Sequence, residues 1–240
     1  MEIFGPLVLS SIAGLATCLG ILFTFIKPQN KNKFIAISLS FAMGVMILIS
    51  IKELIPLPLK NILKTYKLPW NIVIALIMPL IGLTMVNITN HKIKSDSSLY
   101  KVGILSMIIL MMHNIPEGIA TFISSLANKT LGIKLALAIM AHNIPEGICI
   151  SVPIYYAKKS RGLAFLYTFI AGIAEPIGAI LMYTIFKDYL TMNFLNVLLY
   201  FIGSLMIIIS AKELLPEILK YNNKSWLIIG LILSLFILLL

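Results

Sequence analysis

Eight apolar runs set the limits of what this chain can become. They fall at about 5–26, 34–51, 70–89, 102–125, 133–156, 162–186, 194–211 and 226–240. All but the short last run approach the roughly 20 residues that carry a helix across a bilayer. The connectors between them are brief and hold the breaker residues: Lys27-Pro28-Gln29-Asn30, Pro56 and Pro58, Ser95-Asp96-Ser97-Ser98, Asn128-Lys129 and Asn222-Asn223. No stretch is long enough for a soluble domain. With 60% hydrophobic and 12% charged residues, the chain carries more apolar surface than a soluble fold could hide. The sequence predicts an all-α polytopic membrane protein, one transmembrane domain over 1–240, with the lipid bilayer as its solvent.

The net charge of +10 would favour nucleic acid in a soluble protein. Here the basic residues stand between apolar runs, the pattern of membrane loops facing anionic lipid, so no nucleic-acid partner is expected. With the N-terminus outside, twelve Lys and Arg fall in inner loops and seven in outer ones. The bias places both termini outside a cell membrane. Glu2 and the lack of a basic n-region make the first run a retained helix and not a cleaved signal. Cys18 and Cys149 lie within apolar runs and imply no disulfide framework.

The chain repeats itself twice. Met46-Ile47-Leu48-Ile49-Ser50-Ile51-Lys52-Glu53-Leu54-Ile55-Pro56 returns at an offset of 160 as Met206-Ile207-Ile208-Ile209-Ser210-Ala211-Lys212-Glu213-Leu214-Leu215-Pro216. The hexapeptide His113-Asn114-Ile115-Pro116-Glu117-Gly118 returns as His142-Asn143-Ile144-Pro145-Glu146-Gly147. If the helices simply alternate in direction, the second and seventh are antiparallel, as are the fourth and fifth. Both repeats are then related by inversion, and a 3+2+3 bundle follows. Inverted repeats around a polar midplane site mark secondary transporters.

The hexapeptide carries the chemistry. Residues i and i+4 share a helix face, so His113 stacks on Glu117 and His142 on Glu146. Asn114 and Asn143 lie about 100° round, within reach of a neighbouring site. A third acidic element, Ala174-Glu175-Pro176-Ile177-Gly178, sits in the sixth run. Pro116, Pro145 and Pro176 should free the carbonyls of Met112, Ala141 and Gly172 to line a cavity or an ion site. A carboxylate at the bilayer centre costs about 2.5–3.5 kcal/mol even on the lenient insertion scale. No Lys or Arg lies within one turn of Glu117, Glu146 or Glu175, so the counter-charge is an external cation or protons. Two imidazoles, three carboxylates and two amides suit zinc, and also iron or manganese, better than calcium. The set His113, Asn114, Glu117, His142, Asn143, Glu146 and Glu175 can hold two metals with bridging glutamates. Glu53, Glu213 and Glu217 read as interfacial charges paired with Lys52 or Lys212. Met43, Met46 and Met206 read as core, and His91 as a solvated loop residue.

At these motifs the chain resembles the ZIP family of divalent-metal transporters, its compact bacterial members above all. The hexapeptides match that family's fourth and fifth helices, and Ala174-Glu175-Pro176-Ile177-Gly178-Ala179 its sixth. Phe41-Ala42-Met43-Gly44-Val45-Met46 looks like the second helix, and Glu213-Leu214-Leu215-Pro216-Glu217 like the end of the seventh. The resemblance implies eight helices, outside termini, a homodimer, and a two-metal site at the seven residues named above. It implies uptake of Zn2+, with Fe2+, Mn2+ and Cd2+ as other cargoes, into the cytoplasm. Many members carry a long histidine-rich loop between helices three and four; here that loop is short and keeps only His91.

Two rival functions use the same residues. A membrane metalloenzyme would want His-Glu-x-x-His or many more histidines than His91, His113 and His142, so no enzyme is expected. A passive metal-ion or proton channel would be lined by the same ligands, and saturation of flux would separate it from a carrier.

Overall fold

The structure, a computed structural model, describes residues 3–185 and 191–236. Among the described residues eight helices follow in chain order: α1 (Phe4–Phe25), α2 (Lys31–Thr65), α3 (Trp70–Lys92), α4 (Ser98–Ala127), α5 (Lys129–Lys158), α6 (Arg161–Ile185), α7 (Asn193–Leu219) and α8 (Lys224–Leu235). The first seven are long and apolar enough to cross a membrane, and α8 is a shorter apolar helix. The end of the last apolar run, 237–240, and the sixth-to-seventh connector around Lys187 lie outside the described residues, as does Glu2.

Side-chain caps set where most helices begin. Asn30, Ser97, Asn128, Ser160, Thr191 and Asn223 each accept a hydrogen bond from a backbone N–H in the first turn of the helix that follows. Such caps satisfy donors that the helix itself leaves orphaned. This is why the polar connectors read from the sequence fall where helices start.

Two helices run further than their apolar runs. The second was expected to stop near 51 and the seventh near 211. Instead each passes through a π-turn, Ser50–Leu54 and Ser210–Leu214, and continues beyond a proline. The Ile55 and Leu215 N–H groups reach back five residues, to the Ser50 and Ser210 carbonyls. Pro56 and Pro216 then sit in the first turn of a new helical segment, where a missing N–H costs nothing. Pro56–Thr65 buries Pro58 and Ile62 and exposes Lys60 and Lys64. The crowded basic connector is therefore an amphipathic extension of α2.

The inversion is visible in contacts as well as in sequence. α5 packs on α1, and α4 on α6; α2 pairs with α8, and α7 with α3. α4 lies against α5. α1 crosses α6 at Gly14 and Gly172, where a Cβ on either would come within 2.3 or 2.4 Å of the other's carbonyl oxygen. In a bilayer there is no water to expel between helices, so close crossings at small residues and van der Waals packing hold the bundle. The apolar core fills the space among α2, α4, α5 and α7, with Leu39, Met43, Met46, Ile148, Ile202 and Met206 buried. The three methionines are core, as read. α3 is peripheral and turns Ile72, Leu76, Leu80 and Ile88 outward to lipid.

Candidate metal centre

α4 and α5 stay helical through Pro116 and Pro145, which keeps each histidine one turn from its glutamate. Their crossing brings the two copies face to face. The Glu117 carboxylate oxygen Oε1 lies 2.9 Å from His142 Nε2 and 3.0 Å from His113 Nε2. Glu146 Oε1 lies 3.4 Å from His113 Nε2. Donor atoms of His113, His142 and Glu146 all fall within 4.8 Å of one another. All seven residues singled out in the sequence are buried, His142 the most exposed at 7%.

The contacts are close but badly aligned as hydrogen bonds. His142 to Glu117 satisfies hydrogen-bond geometry, whereas both ring nitrogens of His113 and both oxygens of Glu146 have no partner. Glu117 Oε2, Glu175 Oε2, Asn114 Oδ1 and Asn143 Oδ1 are likewise buried and unpartnered. Buried polar atoms are almost always satisfied. A cluster of orphaned lone pairs converging on one space is a donor set for a cation.

The asparagines are positioned by the helices around them. Asn143 Nδ2 donates to the Ala13 carbonyl of α1 at 2.9 Å and to the Glu175 carboxylate. Asn114 Nδ2 donates to the Ala171 carbonyl of α6 at 3.0 Å. Each amide oxygen is left without a partner. The sequence had no sign of these carbonyl clasps apart from a short repeat, Ile12-Ala13-Gly14 and Ile170-Ala171-Gly172, at an offset of 158.

Glycines set the spacing. A Cβ on Gly118 would stand 1.9 Å from the Glu175 carbonyl oxygen, and one on Gly147 would stand 1.9 Å from that of Thr17. Gly178 and Gly20 complete these crossings from the α6 and α1 sides. The freed carbonyls did not behave as expected at α6: Gly172 C=O packs on Gly14 of α1, taken up by the crossing.

Residues outside the cluster also differ from their reading. Glu213 is buried and accepts from Asn90 Nδ2 at 2.6 Å, while Lys212 donates to Asn87 Oδ1 at 2.6 Å. Their chain neighbourhood suggested a pair, but each bonds an asparagine of α3 instead. Glu217 accepts from Lys220 at 2.6 Å and from Ser98 at 3.3 Å. It is the one carboxylate among the described residues that ion-pairs with a lysine or arginine. Glu53 is exposed, and His91 is exposed in the last turn of α3. Both cysteines are free thiols.

An inverted-repeat helical bundle with imidazoles and carboxylates buried at its centre defines a membrane transporter of ions. Comparison with known proteins then makes the class specific: the chain belongs to the ZIP zinc transporter family, whose model matches residues 87–239. It is 34% identical to the zinc transporter ZupT of Clostridium perfringens, over 93% of this chain and 90% of that one. Identity is 36% to the zinc transporter ZupT of Streptococcus mutans, over 96% and 94% of the two chains. For the zinc transporter ZupT of Oceanobacillus iheyensis it is 37%, over 93% and 91%. Membership makes the chain a multi-pass divalent-metal transporter and not an enzyme.

Proposed function

We propose that this protein carries Zn2+ into the cytoplasm through a two-metal site formed by His113, Asn114, Glu117, His142, Asn143, Glu146 and Glu175. The observation that carries the reading is the convergence of Glu117, Glu146, His113 and His142 with most of their donor atoms unpartnered. Two divalent ions bring four positive charges to three carboxylates, which offsets the cost of burying those carboxylates in lipid. Imidazole nitrogens favour zinc, and the oxygen-rich remainder admits Fe2+, Mn2+ and Cd2+ as secondary cargoes. Glu117, in reach of both histidines, is the natural bridge. Glu146 is its counterpart from α5.

A carrier is favoured over a channel. The ligands are buried on every side, with His113 and Glu146 each 1% exposed, and an inverted repeat supplies two related conformations for alternating access. The proposal includes a single transporter domain over 1–240, both termini outside, and the homodimer implied by the family. Particle mass in detergent tests the last of these. The central test is reconstitution: purified protein in liposomes should take up Zn2+ with saturation. If it moved none of Zn2+, Cd2+, Fe2+ or Mn2+ above empty liposomes, the reading would fail.

A further inference from the structure

α1 and α6 are mirror copies where they meet the site, and they differ there in one decisive side chain. Ile12-Ala13-Gly14-Leu15-Ala16-Thr17 aligns with Ile170-Ala171-Gly172-Ile173-Ala174-Glu175 at an offset of 158. Four contacts fix the equivalence of Thr17 and Glu175. The carbonyls one turn earlier, Ala13 and Ala171, each receive an asparagine from α5 and α4. The carbonyls of Thr17 and Glu175 themselves each approach a hexapeptide glycine, at 1.9 Å from its added Cβ. Glu175 Cβ lies 2.8 Å from a Cβ built on Gly14, and Thr17 Cβ lies 3.4 Å from one built on Gly172. The Glu175 carboxylate accepts from Asn143, whose mirror partner is Asn114.

The Thr17 hydroxyl is fully buried and has no partner, and neither has Asn114 Oδ1. Buried hydroxyls in helices ordinarily bond the carbonyl one turn back, as Ser40, Ser50 and Thr168 do here. Thr17 lies in the 3-10 stretch Ala16–Phe25, where Thr24 bonds the Ile21 carbonyl three residues back, but Thr17 Oγ1, like the hydroxyls of Ser10, Ser106, Thr121 and Ser210, makes no such bond. The hydroxyl is thus left with free lone pairs at the position from which its mirror image sends a carboxylate into the site.

We propose that Thr17 is an additional metal-site residue, the neutral counterpart of Glu175, offering its hydroxyl oxygen to the ion on the Asn114 side. The inference rests on the metal-transport reading above. It makes the two halves of the site unequal: the Asn143 side has a carboxylate and the Asn114 side only neutral oxygens besides the shared glutamates. A hydroxyl matters most to an ion that seeks oxygen, such as Mn2+, and least to Zn2+, which keeps both imidazoles.

The test is metal binding by the full chain in detergent, measured by chelator competition, for Thr17→Val and Thr17→Ser. Valine removes the oxygen at nearly constant volume, and serine keeps it. Thr17→Val should weaken Mn2+ binding about tenfold and Zn2+ binding less than about threefold. Its metal-free melting temperature should be that of the parent, and Thr17→Ser should bind both ions like the parent. Should the valine crowd Gly172 and lower that melting temperature, Thr17→Ala removes the oxygen with less bulk and should give the same Mn2+ loss. Parent-like affinity for both ions in Thr17→Val and Thr17→Ala would overturn the proposal. So would an equal loss in Thr17→Ser, which would assign the effect to packing of the methyl group. A parent protein that bound neither ion would instead sink the transport reading itself, and this inference with it.

Discussion

Gly118→Ala puts the fold and the site under strain at one atom. The added Cβ would meet the Glu175 carbonyl oxygen at 1.9 Å, whereas real Cβ contacts stay beyond about 3.0 Å. The α4–α6 crossing must therefore open by at least the difference, about 1.1 Å, because the obstacle is backbone and cannot rotate away. Overpacking of this kind costs about 1–3 kcal/mol, or roughly 2–12 °C in melting temperature for a chain of this size. The functional loss should be larger. What is displaced is Glu175 itself, so its carboxylate is drawn off Asn143 and out of the donor cluster. Misplacing a reacting group by about 1 Å can cost on the order of a hundredfold. Zn2+ flux in liposomes should fall by a comparable factor while the melting temperature in detergent falls by a few degrees. Gly162→Ala is the control: nothing lies within 4 Å of its added Cβ, and it should match the parent in both measurements. A Gly118→Ala variant with parental melting temperature and parental flux would refute the crossing geometry and the reasoning built on it.

On the proposed bridging roles, Glu117→Ala or Glu146→Ala should nearly abolish Zn2+ flux, whereas Asn114→Ala should leave partial flux with altered metal preference; flux of Zn2+ against Cd2+ in liposomes separates them. On the proposed ligation metal and protons compete for His113 and His142, so apparent Zn2+ affinity should drop as the medium is acidified, and an affinity that stayed constant from neutral to mildly acidic pH would argue against histidine ligation. Arg161 donates from Nη2 to the Thr24 carbonyl at 3.1 Å and lies over the Phe25 ring at 4.5 Å, tying the end of α1 to the start of α6. Arg161→Ala should lower stability by about 1–2 kcal/mol, seen as a reduced melting temperature in detergent, and Arg161→Lys should not restore it, because the planar fork is what makes both contacts.

Much of the site was legible because helix geometry is local. The i, i+4 spacing alone stacks His113 on Glu117 and His142 on Glu146, and the doubled motif implied that the two faces meet. The offset-160 repeat was legible as an inverted helix pair, but not as a π-turn. A π-turn is one hydrogen bond shifted by one residue, and Ser50-Ile51-Lys52-Glu53-Leu54 carries no composition that announces the shift. Reading Pro56 as a breaker shortened α2, because a proline that ends one segment is equally suited to the first turn of the next; α7 was shortened where its apolar run ends, at 211. The pairing of Glu213 with Lys212 followed chain proximity, whereas adjacent helical residues point about 100° apart and find different partners. The Ala13 and Ala171 clasps were invisible in another way. The groups that bond are backbone carbonyls, and only the small-residue repeat around Gly14 and Gly172 hints that another helix comes close enough to use them.

The hexapeptide helices also differ where symmetry would make them alike. Gly103 of α4 and Gly132 of α5 occupy equivalent positions, yet Gly103 packs on Ile154 and Gly132 on Ser125. Ile154 and Ser125 are themselves equivalent, as are Ile150 and Thr121, each pair 29 residues apart. At these positions α5 is aliphatic and buried: Ile150 and Ile154 are both 0% exposed. The α4 half carries hydroxyls, and Ser125 borders a cleft of about 450 Å³ at the end of the bundle that also holds Phe4, Leu9 and Lys129. A site held between two identical halves would have no reason to open to one side before the other. An inverted repeat supplies two conformations of similar energy, and substitutions on one half decide which of them lies lower. Thr121 and Ser125 place hydroxyls where α5 has Ile150 and Ile154, so the two ends of the bundle differ in polarity at positions that symmetry would make alike.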